Sequence, residues 1–411
     1  MLSNLNLKIE KIGPINQVNI DIGKINVIGG LNATGKSTVS KLLYCLFKGN
    51  VANRQDFAYS LILPSIRGIV RQSGDYDIPE IFQLSDEEFL QSYEKIRNNI
   101  VHGDDAEYNW DDESKLNQII KIDKQREVIE KNDDELYFSI LKRILSSEFS
   151  SSKFVGSLNL SGLYNEIPFD YSIKLRNRLL KNSSLNGFFS VSEINYIDSM
   201  SILDAKHFRF IDHRRNERIN HVLYNLDDDS EALEFLEDEL NDKIIDVEEK
   251  IYNLIKGKFE SKRGRFTFVS EEGYETFMGD TSSGIKQIGI IQILLANRKL
   301  KENSLLIIDE PEVNLHPEWQ IKFAEILCIL ANDLNVYVYI NTHSPMFIEA
   351  MSIFSEYYYL KDETNFYLTE KQGKGFTFKK IANDDMGAVY ENLSRPYDDL
   401  DDIKADILFR D

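Results

Sequence analysis

Residues 30–37 read Gly30-Leu31-Asn32-Ala33-Thr34-Gly35-Lys36-Ser37, which is a complete glycine-rich phosphate-binding pattern. An apolar, β-branched segment precedes it at 24–28, and apolar residues at helical spacing follow it from Ser37 to Phe47. A strand before the loop and a helix after it are the context that this pattern requires. The sequence therefore predicts a binding site for a nucleoside triphosphate.

The residue types in this loop suit the chemistry of phosphate binding. Glycines let the backbone curl so that its N–H groups and the helix N-terminus face the phosphates. Lys36 is expected to neutralise the β and γ oxygens, and the Ser37 hydroxyl is expected to ligate magnesium. The predicted nucleotide-binding residues are Gly30, Asn32, Ala33, Thr34, Gly35, Lys36, Ser37 and Thr38.

A second apolar segment, Ser304-Leu305-Leu306-Ile307-Ile308-Asp309-Glu310, ends in two acids. Its unbroken apolar run is typical of a strand that is buried on both faces of a parallel sheet. Open α/β sheets bind ligands at the carboxyl ends of such strands. We therefore expect Asp309 to hold magnesium and Glu310 to polarise the attacking water.

Two further segments have patterns of the same kind. Residues 280–287 begin a helix with two serines, Ser282 and Ser283, which are typical either of a helix cap or of an anion site. Residues 337–345 read as another buried strand, and His343 stands just beyond its end. A histidine in that place serves either a structural or a catalytic role.

In this order along the chain, the four segments resemble the ABC-type ATPase heads of the SMC, RecF and OLD-nuclease group. The resemblance implies an α/β P-loop fold with a mixed and parallel sheet flanked by helices. In that family two heads sandwich ATP, so the resemblance implies ATP and Mg²⁺ as cofactors and a homo-oligomer, a dimer or larger. It assigns the signature in trans to Ser282, Ser283 and Gly284, the metal site to Ser37 and Asp309, the catalytic roles to Glu310 and His343, and a connecting D-loop to residues 312–317.

The resemblance extends over residues 1–50 and about 200–360. We therefore expect a discontinuous ATPase head at 1–50 and 200–411, with a mostly helical insertion at 51–199. In related heads, a lobe inserted after the first helix carries the system-specific function. OLD nucleases continue into a Toprim domain after the head, whereas this chain ends at Asp411. It thus resembles the stand-alone ATPase subunits of antiphage systems such as Septu and PARIS, which implies a separate effector or nuclease subunit.

Composition limits the partners of this chain. Its 411 residues carry a formal net charge of -20, so a general basic surface for duplex DNA is excluded, although local nucleic-acid contact stays possible. No apolar run approaches the roughly 20 residues that a membrane helix needs, and the N-terminus shows no secretory signal. We expect a cytoplasmic protein without a membrane partner, with Cys45 and Cys328 as small core residues.

Two alternatives remain open on the sequence. One is a DNA-repair or genome-maintenance ATPase of the RecF or SMC type, which acts directly on DNA. The other is a nucleotide-gated ribonuclease, because Arg97 and His102 resemble the Arg-x4-His signature of HEPN ribonucleases. His102-Gly103 also reads as a simple helix stop. Arg215 and His221 show that such pairs arise readily in this chain.

Overall fold

The computed structural model describes most of the chain in two compact units. The described residues are 2–51, 65–66, 68–70, 91–98, 116–124, 133–149, 155–176, 179–180, 183–198, 221–222, 226, 238–262, 265–277, 280–281, 283–382, 385–393, 400, 403–404 and 407. The first unit comprises Met1–Ala52 and Lys142–Asp411, and the second comprises Asn53–Leu141. Helical segments are described in the second unit at 65–70, 91–98 and 116–124, with one residue of the first segment left out.

The strands and helices of the described residues have the following bounds. The strands are β1 (Leu2–Glu10), β2 (Gln17–Ile22), β3 (Ile25–Gly29), β4 (Val155–Tyr164), β5 (Ile167–Arg176), β6 (Leu179–Leu180), β7 (Ser184–Asn186), β8 (Ile194–Ile197), β9 (Gly257–Lys262), β10 (Arg265–Ser270), β11 (Glu275–Phe277), β12 (Leu305–Asp309), β13 (Tyr337–Thr342), β14 (Thr364–Gln372) and β15 (Gly375–Ile381). The helices are α1 (Lys36–Lys48), α2 (Asp133–Glu148), α3 (Asp238–Ile255), α4 (Ser283–Ala296), α5 (Pro317–Asp333), α6 (Pro345–Tyr357) and α7 (Met386–Leu393), and Lys361–Glu363 form one 3₁₀ turn.

A mixed sheet forms the centre of the first unit, with strand order β15-β14-β3-β13-β12-β8. All neighbours in this sheet are parallel except β14 and β15, which form an antiparallel hairpin. Every residue of β3 and β13 is buried, as is β12 up to Ile308. Helices cover such strands on both faces, which explains why the sequence shows unbroken apolar runs there.

Helices pack around this sheet through their apolar faces. α1 contacts β8, β12 and β13, and it buries Val39, Leu42, Leu43 and Leu46 at the expected helical spacing. α6 packs against β3, and α5 packs against both α6 and α3. The expected fold class, an α/β P-loop head with a mixed sheet flanked by helices, is therefore confirmed. Cys45 and Cys328 are both buried, as expected.

Strands occupy much of the range that was expected to be helical. β4 pairs with β1, and β5 pairs with β4, in an antiparallel sheet of order β2-β1-β4-β5-β6. The prediction of a mostly helical insertion across 51–199 is therefore wrong for residues 155–197. The segment forms strands because its apolar residues repeat at every second position. β5 exposes Asp170 and Lys174 and buries the alternate residues Phe169, Tyr171, Ile173 and Leu175.

A buried charged cluster joins the end of α1 to the start of β8. His221 Nε2 lies 3.0 Å from Glu193 Oε1, and Lys48 Nζ lies 4.0 Å from the same oxygen. Burial alone would raise the pKa of Glu193, but the charges of His221 and Lys48 outweigh burial and lower it to about 2. The Glu193 carboxylate is thus ionised at neutral pH, and it contacts both Lys48 and His221, which are distant in sequence.

Among the described helices, none is both long and apolar enough to cross a membrane.

Candidate active site

The carboxyl ends of β3, β12 and β13 meet at one edge of the central sheet. The register pairs Asp309 with Asn341, and it pairs Asn341 with Ile28 and Thr342 with Gly29. The phosphate-binding loop, the acidic pair after β12 and His343 therefore emerge side by side. This is the edge at which open α/β sheets bind ligands.

The loop between β3 and α1 adopts a backbone that depends on glycine. Gly35 has φ +99 directly before α1, and Gly30 has φ +153. A Cβ on Gly30 would lie 1.8 Å from Thr369 Oγ1 of β14, so a larger residue does not fit there. Thr34 Oγ1 donates to Leu31 O at 2.8 Å and closes the loop.

This loop leads straight into α1, whose first N–H groups are available to an anion. Thr34, Gly35 and Lys36 are buried, Asn32 and Ala33 are exposed, and Ser37 and Thr38 are partly buried. The eight predicted nucleotide-binding residues are thus contiguous around one helix N-terminus. Their contact with a nucleotide stays a prediction.

Lys36 occupies the centre of the site. Its Nζ donates to Gly30 O and to Leu31 O, both at 2.9 Å, and lies 3.1 Å from His343 Nε2. Burial lowers the pKa of Lys36 to about 8, although Glu310, Asp309 and Glu312 oppose this shift. The ammonium group is therefore held against the loop carbonyls in a partly desolvated, acidic surrounding.

Glu310 and His343 contact each other at the end of the sheet. Glu310 adopts a left-handed backbone with φ 54, and its N–H donates to Asn341 O at 2.8 Å. His343 Nε2 lies 3.3 Å from Glu310 Oε1, and the Glu310 side chain is 44% exposed. A ring nitrogen either carries a hydrogen and donates or lacks one and accepts. Nε2 therefore either accepts from Lys36 or donates to Glu310 at any moment, but does not do both. The carboxylate is accessible to water and still has a fixed neighbour.

Asp309 receives hydrogen bonds that the sequence did not reveal. Tyr196 OH donates to Oδ2 at 2.6 Å, Ser40 Oγ lies 3.2 Å from Oδ1, and Asn341 Nδ2 donates to Oδ1. Tyr196 lies on β8, Ser40 on α1 and Asn341 on β13. Asn341 lies in the segment that precedes His343, but no role was predicted for any of the three, so only the three-dimensional structure identifies them.

Glu312 is a further residue that sequence reasoning placed in the D-loop without a role of its own. Its Oε1 accepts the backbone N–H of His343. Its Oε2 is buried and has no hydrogen-bond partner among the described residues. The D-loop and the histidine segment are therefore joined directly by one carboxylate.

The oxygen atoms at this edge fit Mg²⁺, which prefers hard oxygen ligands. Ser37 supplies a hydroxyl and Asp309 a carboxylate. Two buried oxygens, Glu312 Oε2 in the D-loop and Asn341 Oδ1 on β13, have no hydrogen-bond partner within the described part of the chain. Across the described ranges, no group of three or more His, Cys, Asp or Glu side chains forms a metal site. One or two protein oxygens suffice for Mg²⁺ when phosphates and water supply the rest.

The remaining predicted residues belong to other segments of the chain. Ser283 and Gly284 begin α4, and Ser282 lies outside the described residues. Arg97 belongs to the second unit, where its Nε donates to both carboxylate oxygens of Asp123 at 2.9 and 2.8 Å. That ion pair is a structural role for Arg97. His102 lies outside the described residues, so the ribonuclease pair stays a prediction.

Comparison with known proteins gives one short sequence relative and several distant structures. The OLD nuclease of Thermus scotoductus is 37% identical over 67 residues, and the match covers 16% of this chain and 13% of that protein. The SMC head domain from Thermotoga maritima has a TM-score of 0.43 at 10% identity, covering 92% of this chain and 98% of that one. An Smc head domain from Pyrococcus furiosus, bound to the C-terminal domain of ScpA, has a TM-score of 0.42 at 9% identity, covering 97% and 98%.

The family assignment rests on a protein-family match instead. The family described as "AAA domain, putative AbiEii toxin, Type IV TA system" matches residues 25–349. This range contains the phosphate-binding loop, the acidic pair after β12 and His343. It also covers well over half of the chain, and the chain therefore belongs to this AAA-domain family.

Proposed function

We propose that this chain is a magnesium-dependent ATPase that closes around ATP as a dimer and regulates a separate effector, such as a nuclease, in antiphage defence. The observation that carries the ATPase part is the position of Lys36. Its ammonium group lies on the carbonyls of a glycine-shaped loop, beside His343 and the acidic pair at the end of β12. Catalysis of phosphoryl transfer depends mainly on the positioning of groups and on their charge, and this arrangement supplies both.

Each residue has a distinct task in this proposal. The N–H groups of the loop and of the start of α1 bind the phosphates, and Lys36 exchanges its carbonyl contacts for phosphate oxygens. Ser37 and Asp309 would hold Mg²⁺, which when bound neutralises charge on the phosphates. Glu310 accepts a proton from the attacking water, whose oxygen forms a bond to the γ phosphorus while the bond to the ADP oxygen breaks. His343 orients the Glu310 carboxylate.

Two features support a dimer. The resemblance to sandwich-forming heads gives Ser282, Ser283 and Gly284 the role of contacting the nucleotide of the partner subunit. In addition, two apolar side chains beside the site are exposed to solvent: Leu31 in the loop is 48% exposed and Val313 in the D-loop is 43% exposed. A second head placed over the nucleotide would cover such side chains.

The effector part of the proposal rests on the names of related proteins. The family description refers to a type IV toxin–antitoxin system, and the short sequence relative is an OLD nuclease. The first names a toxin–antitoxin system and the second names a nuclease. A net charge of -20 gives little support to the alternative in which the chain itself coats DNA.

Replacing Lys36 with alanine tests nucleotide binding. Lys36→Ala removes the charge that pairs with the β and γ phosphates, so we expect ATP binding to fall below detection by isothermal titration calorimetry. Lys41→Ala, which removes a lysine from the same helix, serves as the matched control and should bind normally. A folded Lys36→Ala protein with wild-type affinity would contradict the nucleotide site.

Replacing Glu310 with glutamine tests hydrolysis. Glu310→Gln should bind ATP with unchanged affinity but release phosphate more slowly, by on the order of the 10²–10⁴ that loss of a general base costs. Glu318→Gln removes an acid on α5 and should retain wild-type turnover. If Glu310→Gln releases phosphate as fast as the wild type, another residue activates the water.

The sandwich is tested by association. Analytical ultracentrifugation of Glu310→Gln should show a monomer without nucleotide and a dimer with Mg-ATP, because slow turnover preserves the closed state. Adding Ser282→Arg should abolish this association, whereas Ser184→Arg, the same change at an exposed serine of β7, should not. A mass that does not respond to Mg-ATP, together with the absence of crosslinks between cysteines introduced near Ser37 and Ser282, would refute the sandwich.

The effector is tested by purification from the native host. We expect a separate effector subunit to copurify, and we expect its activity, measured after coexpression with the ATPase, to differ between wild type and Lys36→Ala. A nuclease assay with plasmid DNA and RNA substrates provides the measurement. The regulatory role would be contradicted if no such subunit is recovered, or if the effector has the same activity with wild type and with Lys36→Ala.

A further inference from the structure

Asp309 belongs to a closed ring of hydrogen bonds. Asn341 Nδ2 lies 3.0 Å from Ser40 Oγ, Ser40 Oγ lies 2.8 Å from Tyr196 OH, and Tyr196 OH lies 2.6 Å from Asp309 Oδ2. Asn341 Nδ2 also donates to Asp309 Oδ1, which closes the ring. The four residues come from β13, α1, β8 and β12, so the ring links four elements of the fold at one carboxylate.

The available hydrogens limit the directions that the bonds in this ring can take. Tyr196 has one hydroxyl hydrogen, and the short contact with the charged Asp309 claims it. Ser40 Oγ then accepts from Asn341, whose amide has two hydrogens, one for Ser40 and one for Asp309. The single Ser40 hydrogen is shared between Tyr196 OH at 2.8 Å and Asp309 Oδ1 at 3.2 Å. Rotating the Asn341 amide would point its oxygen at the carboxylate, which is repulsive. Each donor therefore polarises the next, and the series ends on Asp309.

Burial makes this ring rigid. Ser40 and Tyr196 are 0% exposed and Asn341 is 1% exposed. The ring of Tyr44 packs edge-on against Tyr196 at 5.9 Å between centroids. Tyr196 thus has no room to swing away from Asp309, and water has no access to replace its hydroxyl.

We propose that Tyr196 is a positioning residue that, through this ring, holds the Asp309 carboxylate ready for Mg²⁺. The inference rests on the proposed function, because it concerns the metal that accompanies ATP. A carboxylate at the end of a strand has two free side-chain torsions, and ordering them on metal binding costs entropy. Tyr196, Ser40 and Asn341 order the carboxylate in advance. A carboxylate has about four lone-pair sites, so ring bonds on both oxygens leave others for the metal or its waters.

The expected effect concerns the metal-dependent part of nucleotide affinity. Tyr196→Phe keeps the aromatic ring that packs against Tyr44 but removes the hydroxyl that donates to Asp309 Oδ2. Loss of such a supporting hydrogen bond typically weakens a metal site by about 10–100-fold. Ser40→Ala removes the longer contact to Asp309 Oδ1, at 3.2 Å, and interrupts the ring of hydrogen bonds, while the 2.6 Å bond from Tyr196 to Oδ2 remains. A smaller loss of metal-dependent affinity is therefore expected for Ser40→Ala.

Binding of a non-hydrolysable ATP analogue tests the inference. Isothermal titration of the full chain in excess Mg²⁺ and again in EDTA gives two affinities, and their ratio measures the contribution of the metal. We expect Tyr196→Phe to lose on the order of tenfold affinity in Mg²⁺ and to match the wild type in EDTA. Thermal unfolding without nucleotide checks that the variant is folded, and Ser40→Ala gives a second reading if it is not.

Tyr339→Phe is the matched control. Tyr339 lies on β13, its hydroxyl is buried, and it has no hydrogen-bond partner among the described residues. The same chemical change at this position should leave both affinities at wild-type values, and a loss there like that of Tyr196→Phe would overturn the inference.

The other outcomes separate the two proposals. If Tyr196→Phe loses the same affinity for the analogue in Mg²⁺ and in EDTA, Tyr196 has a general structural role. If it loses affinity in neither, Tyr196 has no role in binding. Either result overturns the proposal that Tyr196 positions Asp309. If the wild type binds the analogue no more tightly in Mg²⁺ than in EDTA, the magnesium-dependent function itself fails.

Discussion

Parallel pairing of β3, β13 and β12 is the constraint on which the candidate site depends. These strands bring together segments that are far apart in the chain, since Asn26 and Val338 are 312 residues apart and yet share a hydrogen bond. The register decides which side chains meet: Asp309 stands opposite Asn341, and Thr342 stands opposite Gly29. A slip of one residue would turn every side chain of a strand to the other face and would separate Asp309 from its donors.

Much of this arrangement could be predicted from local patterns. The loop at 30–37, the acids after β12 and the strand before His343 each combine a motif with a matching strand or helix, and the structure places all three at one edge of the sheet. Apolar runs fixed the buried strands because a strand that is covered on both faces needs no polar positions. Prediction was therefore reliable where function and local structure use the same residues.

The supporting residues could not be predicted in the same way. Tyr196 lies 113 residues before Asp309 and contacts it only because β8 joins the sheet beside β12. Ser40 lies just after the phosphate-binding loop and Glu312 lies within the D-loop, but both have ordinary residue types for their positions. Nothing in a single sequence says which strand becomes the neighbour of which. The strands within 155–197 were also missed from the sequence. β4 alternates buried and exposed positions only imperfectly, and it contains Gly156 and Gly162, which approach the backbone of β1 closely.

The position of β3 between two later strands also has a consequence for how the protein is made. Its neighbours on either side are β13 and β14, which end at Thr342 and Gln372. A ribosome synthesises β3 and the loop long before it synthesises the two strands that flank β3. Until then β3 has two unpaired edges, which are prone to wrong pairing with other chains. The phosphate-binding loop therefore exists in the growing chain long before β13 can place His343 beside it.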